Sequence, residues 1–387
     1  MPSLTIDAAR ALPGPAWLRA AREAAAERAA AAPFPSTDEE IWRYSRIAEL
    51  DLDAYARAEV VVDVVAPAGL SLRPVADVDA ERVGAVLGAA PDVLAEWNTA
   101  LSSPLVLEVP RGTVVAEPVV VTYTVGTAGA AVFPRLVVDA GDDSEVTVLE
   151  RFVSPDGIDA LVVPVLELRA APAARVRYLG VNELGDATWM IGHQVAEGDR
   201  DSTTVLSTVA LGGDYARVRT EGRLVGQGAS ANQIAVYFGE GTQMHDFRTL
   251  QHHVAPKTSS DLLFKGAVEG HAKSVYTGLI RIGKAAKGAN AFQTNRNLKL
   301  SEGAWAESVP NLDIENNDVR CSHASTVGPI DEDQRFYLES RGVPPSVAER
   351  LIVLGFFDEV IDRLPVPAVR ASLRAQVAAK LDRREDA

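Results

Sequence analysis

Cys321 and His323 are the residues of this chain whose types and spacing suggest chemistry. Cys321 is the only cysteine among 387 residues, and His323 follows two positions later. On a β-strand, residues two apart point to the same face, so the thiol and the imidazole could serve one site. A thiolate and an imidazole suit zinc or iron–sulfur centres, but two ligands do not complete a four-ligand site. Sequence alone predicts half a metal or cluster site.

Two other interpretations of this pair stay open. Cys321 could be a small buried residue beside a hydrogen-bonded His323. It could also be a nucleophile, which needs a base within hydrogen-bonding reach. No local protease or transferase signature supports the nucleophile.

Three further histidines lie close together in the sequence, at positions 245, 252 and 253. The adjacent His252 and His253 would face opposite sides of a strand. His245 and His253 share a face, but an extended strand separates them by about 26 Å. The spacing favours structural hydrogen bonding over metal ligation.

Two other stretches are interpreted structurally. Residues 292–300 are rich in Arg, Asn and Gln, which favours side chains that satisfy backbone groups at turns and edges. Residues 226–231 match the pattern GxGxxA, but strand-like residues flank them and no βαβ unit surrounds them, which favours a turn. Gly283-Lys284 lacks the upstream glycine of a phosphate-binding loop. We expect no nucleotide to bind this chain.

The composition narrows the possible partners. The formal net charge of −15 argues against nonspecific binding to nucleic acid and against docking on an anionic membrane. No apolar run reaches the roughly 18 residues needed to span a bilayer. The N-terminus lacks the basic-then-apolar pattern of a signal peptide. The single cysteine fits a reducing compartment, so we expect a cytoplasmic protein.

The first hundred residues are predicted to be helical. One helix is expected from Pro15 to Ala32, and a capping box at residues 37–40 should open a short second helix. Residues 79–101 carry a third helical pattern that is interrupted near Pro91.

An all-β region is predicted from Pro104 to about residue 325. Short runs rich in Val, Ile, Thr and Leu recur there every 10 to 15 residues or so. Candidates are a sandwich, a propeller and a β-solenoid. The absence of a Trp-Asp blade motif weakens the propeller. Aromatic residues make up only 6% of the chain, which suits the thin rungs of a solenoid.

The chain is predicted to become helical again after Gly328. Asp331 should cap one helix, a capping box at residues 346–349 should open a second, and a third should run from Pro367 to about Arg384. The second helix has a wide apolar surface, which indicates either burial between two neighbours or a docking face for another protein. Its candidate docking residues are Leu351, Leu354, Phe356, Phe357, Val360 and Ile361.

An ordered series of motifs runs through residues 215–365. The motifs are Asp246-x-x-Thr249-x-x-x-His253-x-Ala255-Pro256-x-Thr258-x-Ser260-Asp261, Lys265-Gly266, Ser274-Val275-Tyr276-x-Gly278-x-Ile280, Gln293-Thr294-Asn295-Arg296-Asn297-Leu298, Asp318-Val319-x-Cys321-Ser322-His323 and Phe336-Tyr337-Leu338-x-Ser340-Arg341-Gly342. Together they resemble the SufB/SufD family, the scaffold subunits of the SUF iron–sulfur cluster assembly machine.

The residues around Cys321 resemble the D-type subunit of that family. The B-type typically has Glu-His-Glu-Ala-Thr where this chain has Cys321-Ser322-His323-Ala324-Ser325-Thr326. The B-type is also usually longer and carries additional cysteines. The element Trp42-x-Tyr44 resembles the D-type N-terminus, whereas Asn316-Asn317 departs from the small or acidic residues that are usual there.

The resemblance implies a mainly β protein: a right-handed parallel β-helix flanked by helical regions. The implied regions are 1–103, N-terminal and helical; 104–327, the β-helix; and 328–387, the C-terminal helices that dock the SufC ATPase. It implies a non-catalytic scaffold that pairs with SufB. A nascent iron–sulfur cluster would form at their interface, with His323 as the first candidate ligand and Cys321 beside it.

Three alternatives accompany this interpretation. The chain could stabilise SufB and help iron to enter without ligating the cluster. It could be a β-helix enzyme acting on polysaccharide, but no compact Asp/Glu motif supports that. When isolated, the chain could form a homodimer through the strand edge that would otherwise meet SufB.

Overall fold

The computed structural model describes residues 4–385, with side chains described to residue 382. Residues 1–3 lie outside the described residues; they belong to the predicted N-terminal helical region and to the stretch examined for a signal peptide. Residues 386–387, the last two of the predicted docking region, also lie outside. The helices are α1 Ile6–Arg10, α2 Ala16–Ala31, α3 Val93–Leu101, α4 Glu332–Ser340, α5 Pro345–Ile361 and α6 Pro367–Glu385.

Most of the chain between α3 and α4 is strand. The strands are β1 Ala56–Arg57, β2 Val61–Val65, β3 Ser71–Pro74, β4 Leu105–Val109, β5 Val119–Thr124, β6 Ala130–Val132, β7 Arg135–Ala140, β8 Glu145–Val153, β9 Ala160–Val162, β10 Val165–Ala170, β11 Arg175–Glu183, β12 Thr188–Gly198, β13 Thr203–Ala210, β14 Tyr215–Leu224, β15 Ser230–Gly239, β16 Met244–His253, β17 Ser259–Val268, β18 Lys273–Ile282, β19 Asn290–Lys299, β20 Trp305–Ile314 and β21 Arg320–Gly328.

The strands form two sheets that coil as a β-solenoid of about eight turns. One sheet has 12 strands and runs from β20 through β18, β16, β14, β12, β10, β7 and β4 to β3, with β1, β6 and β9 beside this path. The other has nine strands, in the order β2-β5-β8-β11-β13-β15-β17-β19-β21. All pairings are parallel except β2 with β5 and β3 with β4. The predicted fold class, a parallel β-helix flanked by helices, is confirmed.

The repeat length keeps equivalent side chains stacked. Met244 pairs with Tyr215 below it and with Lys273 above it, so each of these turns takes 29 residues. Side chains alternate between the interior of the solenoid and its outer face. Aliphatic residues dominate the interior of the early turns. Aromatic rings pack against one another in the later turns, such as Tyr237 against Phe247, whose centroids are 4.7 Å apart and whose planes are tilted by 41°.

The N-terminal helices cover the outer face of the 12-stranded sheet. Trp42 and Trp97 pack there with residues of α1, α2 and α3. Arg217 on β14 reaches the same segment: its guanidinium lies 3.9 Å from the centre of the Trp42 ring and donates to the carbonyl of Ile41 at 2.7 Å. These contacts attach residues before position 50 to the middle of the solenoid.

The C-terminal helices cover the outer face of the nine-stranded sheet. Phe357 of α5 stacks on Phe238 of β15, with ring centroids 5.9 Å apart. Leu373, Val377 and Leu381 of α6 belong to the same apolar cluster. The two helical regions therefore lie on opposite outer faces of one solenoid.

Four local predictions are wrong. The capping box at residues 37–40 does not open a helix of the α type: only the three-residue 3-10 helix Glu40–Trp42 forms there, and no side chain caps it. The region before residue 104 is not all helical, because β1, β2 and β3 add short strands there. Residues 79–101 form only α3 at their C-terminal end, since left-handed glycines at 84 and 88 and the proline at 91 break the pattern. Ser346 does not cap α5: the helix begins at Pro345, whose fixed φ suits the first turn.

Four local predictions are confirmed. Two of them are the helices expected from Pro15 to Ala32 and from Pro367 to about Arg384, where α2 and α6 lie. Asp331 caps α4 by accepting hydrogen bonds from the backbone amides of Asp333 and Gln334 at 2.9 and 3.2 Å. Residues 226–229 form a tight turn between β14 and β15, with Gly228 in the left-handed region. Among residues 4–385, no helix is both long enough and apolar enough to cross a membrane.

Candidate functional site at the open end of the solenoid

Cys321 and His323 lie on β21, the terminal strand of the nine-stranded sheet. Cys321 is in register with Ala291 of β19, and His323 is in register with Gln293. Ala291 and Gln293 are both buried inside the solenoid. Because aligned residues of a parallel sheet point the same way, the thiol and the imidazole continue this interior column into the last turn.

The two side chains differ in exposure. His323 is exposed, since no further turn among the described residues covers the interior at this end. Cys321 is half-buried and packs against an apolar cluster that includes Ile280, Ile282 and Ala291. Burial raises the pKa of the Cys321 thiol. A metal bound by this sulfur would therefore have to displace its proton.

These two residues do not form a complete site within the chain. Among the described residues, no group of three or more His, Cys, Asp or Glu side chains is placed to hold a metal ion. Cys321 is a free cysteine. The geometry offers one soft sulfur ligand and one imidazole at an exposed end, which is what a site shared with another chain requires.

The last turn also has exposed strand edges. β20 and β21 end their respective sheets, and every described residue of β20 is at least partly accessible to solvent. Most of β21 is exposed, including Val327 at 40%. Unpaired edges of this kind are templates for pairing with another strand. The end that carries Cys321 and His323 is thus suited to continuing into a second protein.

The stretch predicted to be structural lies on β19, one strand below the candidate site. Asn295 donates to the Tyr237 hydroxyl at 2.9 Å, Tyr237 donates to the Asn297 side chain at 2.6 Å, and Asn297 donates back to Asn295 at 2.8 Å. This closed ring of hydrogen bonds stabilises the polar interior. Asn295 and Asn297 are structural, as predicted, but they bond to each other and to Tyr237 inside the solenoid and do not lie at a turn or an edge. Gln293 does not take part in the ring.

Two of the three clustered histidines, His245 and His253, make structural hydrogen bonds, as predicted. His253 is buried, and its ring nitrogens lie 2.8 Å from Thr258 Oγ1 and 2.9 Å from Ser260 Oγ. His245 is buried beside the carbonyl of Gly212. Burial lowers the pKa of His245 and of His253 to about 4, so both rings are neutral at pH 7.

A buried carboxyl group was not found from the sequence. Glu150 is 3% exposed inside the solenoid, and Tyr178 donates a hydrogen bond to it at 2.6 Å. Burial raises the pKa of Glu150 to about 7. A small cavity of about 20 Å³ adjoins this pair and is also lined by Gln194 and Thr208. The sequence predicts a strand around Glu150, but it does not show that the carboxyl group points into the solenoid and meets a tyrosine from another turn.

The predicted docking residues of α5 divide into two groups. Phe357, Val360 and Ile361 are at most 1% exposed and pack on the solenoid, so they are not available to a partner in this conformation. Leu354 and Phe356 are partly buried at the edge of the same cluster. Leu351 is the exposed member, at 50%.

Further apolar residues near Leu351 were not in the predicted set. Phe336 and Tyr337 of α4 are 72% and 57% exposed, and Val347 of α5 is 42% exposed. Helix α4 packs on α5, so these side chains lie in the same helical region as Leu351. We call Leu351, Phe336, Tyr337 and Val347 the apolar face of the C-terminal helices. An exposed apolar face of this kind is typical of a protein interaction site.

Comparison with known proteins identifies the family. The family model described as SUF system FeS cluster assembly, SufBD core domain, matches residues 123–356. An iron–sulfur cluster assembly SufBD family protein of Mycobacterium tuberculosis is 33% identical over 362 residues, covering 90% of this chain and 89% of that protein.

Two proteins named SufD are also similar. The iron–sulfur cluster assembly protein SufD of Bacillus subtilis is 32% identical over 291 residues, covering 73% of this chain and 66% of that protein. SufD of Escherichia coli is 27% identical over 279 residues, covering 71% and 66%. With the fold and the matched core, these similarities show that the chain belongs to the SufBD family of the SUF iron–sulfur cluster assembly system, as a SufD-type member.

Proposed function

We propose that this chain is a non-catalytic scaffold subunit that pairs with a SufB protein and supplies half of the site where a nascent iron–sulfur cluster forms. The observation that carries the proposal is the position of Cys321 and His323. They share the interior-facing side of a terminal, exposed strand, and the described residues offer no third ligand beside them. The missing ligands would come from the SufB chain.

The pairing would extend the solenoid. The edges of β20 and β21 would meet the terminal strands of SufB, and the open interior above His323 would become an enclosed space between the two subunits. Enclosure matters because a cluster exposed to water and oxygen is easily lost. An isolated chain would use the same edges to form a homodimer.

The C-terminal helices would bind the SufC ATPase through their apolar face. Leu351 would contact SufC directly, and so would Phe336 and Tyr337. The buried Phe357, Val360 and Ile361 would act indirectly, by holding α5 on the solenoid. The chain itself would bind no nucleotide, so ATP binding by SufC would supply the energy that rearranges the interface with SufB. The complex would work in the cytoplasm.

Co-expression with SufB and SufC tests this function. The complex would be purified without oxygen, and bound iron and sulfide would be measured. We expect a stable complex of the three proteins that holds iron and sulfide in equal amounts. A chain that never co-purifies with SufB would contradict the proposal.

One observation favours a second role. Cys321 packs against Ile280 and Ile282, so its side chain can serve the packing of the last turn without binding a metal. In this alternative the chain stabilises SufB and helps iron to enter without ligating the cluster. Changing Cys321 and His323 together and recording cluster absorption of the complex separates the two roles, because only the ligand role predicts a lost or altered spectrum.

A further inference from the structure

Gln293 is a buried polar residue on β19 whose side-chain amide makes no hydrogen bond to the described residues. It is 1% exposed, and neither its amide nitrogen nor its amide oxygen has a hydrogen-bond partner among the described residues. Its neighbours on the same strand behave differently, since Asn295 and Asn297 are fully engaged in the ring with Tyr237. A buried amide without partners is destabilising, so Gln293 is a candidate for a role other than folding.

The surroundings of Gln293 make room for its side chain. Gly278 of β18 faces it across the interior, and a Cβ at that position would collide with the Gln293 amide nitrogen. Ser308 of β20 lies on the same sheet as Gly278, one strand further on, and its buried hydroxyl also lacks a partner among residues 4–385. One unsatisfied polar group, the Gln293 amide, therefore lies just below the open end, and a second, the Ser308 hydroxyl, lies in the last turn.

The register places Gln293 beneath one particular residue. Gln293 pairs with His323, and no other strand of the sheet intervenes between them. Both side chains point into the interior column. His323 is exposed, whereas Gln293 is buried in the turn below.

We propose that Gln293 is the positioning residue for His323 in the site described above, an inference that rests on the proposed function. When one ring nitrogen of His323 binds a metal, the other carries a proton that needs an acceptor. Metal-bound histidines are usually held by such an outer hydrogen bond, which fixes the tautomer and the ring orientation. The Gln293 amide oxygen supplies the acceptor.

The test uses Zn²⁺ and nuclear magnetic resonance of the full chain, labelled at histidine and bound to unlabelled SufB, because SufB would supply the missing ligands. The chain has six histidines, and the His323 signals are assigned by their loss in His323→Ala. Zn²⁺ titrations compare the wild type with Gln293→Leu, which removes the acceptor, and with Gln293→Glu, which restores one. We expect Gln293→Leu to weaken Zn²⁺ binding at His323 by roughly tenfold or more and to change the tautomer ratio of its ring, whereas Gln293→Glu retains both.

A stability measurement separates positioning from folding. Gln293→Leu should unfold at the same denaturant concentration as the wild type or at a higher one, because it removes an unsatisfied buried group. The matched control is Gln251→Leu, which breaks an interior hydrogen bond with Gln233 at 3.0 Å. The control should lose stability and keep its Zn²⁺ affinity.

The titration separates the positioning role of Gln293 from the ligand role of His323. If Zn²⁺ shifts the His323 signals equally in the wild type and in Gln293→Leu, the positioning role is wrong and the ligand role of His323 stands. If Zn²⁺ never shifts the His323 signals of the wild type, the ligand role itself is wrong, and the positioning role with it.

Discussion

Lys265 of the solenoid is joined to Glu359 of α5 by an ion pair with a nitrogen–oxygen distance of 2.5 Å. Lys265 is 2% exposed, and its ammonium also donates to the carbonyl of Phe356 at 3.1 Å. Lys265 lies on β17, which is two strands from β21 in the same sheet. Helix α5 is therefore attached close to the candidate cluster site, which gives a partner bound to the C-terminal helices a short connection to that end of the solenoid.

The apolar face of the C-terminal helices should decide SufC binding. Leu351→Asp places a charge on an exposed apolar position, so we expect SufC to be lost from the purified complex while SufB stays bound. Val61→Asp is the matched control, because Val61 is 70% exposed on β2, outside the C-terminal helices. Equal recovery of SufC with both variants would show that the apolar face does not bind it.

Asp246 should be essential for attachment of the N-terminal segment. It is fully buried and accepts from Arg217 at 2.6 Å and from Arg248 at 2.7 Å. Asp246→Asn would leave two buried cations with one neutral partner, which should lower the free energy of unfolding by about 3–5 kcal/mol in chemical denaturation. Asp313→Asn, which breaks the exposed pair with Arg281, should change it by less than about 1 kcal/mol.

The glycine at position 266 should be irreplaceable, because a Cβ there would collide with the ring of Tyr237. Gly266→Ala should therefore destabilise the chain by about 1–3 kcal/mol, as overpacking of a core does. Gly355→Ala is a matched control: Gly355 lies within α5, and no heavy atom outside the helix backbone comes within 4 Å of its added Cβ. There the change should stabilise the chain by about 0.5–1 kcal/mol, and equal effects at both positions would contradict this packing.

Glu150 should make a pH-dependent contribution to stability. Burial raises its pKa from 4.5 to about 7, so the folded state holds a proton that the unfolded state releases. Its stabilising contribution is complete below about pH 4.5 and is lost as the pH rises towards 7. The buried His245 and His253 act in the opposite direction over part of this range, because their pKa values are lowered.

The effect of Glu150 is therefore measured as a difference. Unfolding free energies of the wild type and of Glu150→Gln would be compared between pH 4.5 and pH 8. We expect the stability of the wild type relative to the variant to fall as the pH rises through this range. A difference that is independent of pH would show that Glu150 is already ionised in the folded protein.

Much of the fold could be predicted because the pattern is local. Val, Thr and Leu runs mark strands such as β8 and β18, and Asp331 marks the start of α4. The short strands β1 and β3 could not be predicted, because they depend on pairing with β6 and β4. Strand β2 carries a valine-rich run that favours a strand, but the prediction of a helical region overlooked it.

The candidate site could be predicted only in part. The spacing of Cys321 and His323 gives their common face, and the resemblance gives their candidate role. The Gln293 amide lacks hydrogen-bond partners because of the residues that lie opposite it on β18 and β20. No sequence pattern predicts which residues those are. The burial of Phe357 likewise depends on how α5 packs against β15 and β17.

The claim that this chain contributes ligands to a shared cluster is tested most directly by His323→Ala in the complex with SufB and SufC. The side chain is exposed, so the variant should fold and assemble like the wild type. The measurement is the visible absorption of the cluster after anaerobic reconstitution, normalised to bound protein. The account predicts that the assembled variant loses most of this absorption. Wild-type absorption in a fully assembled His323→Ala complex would contradict it.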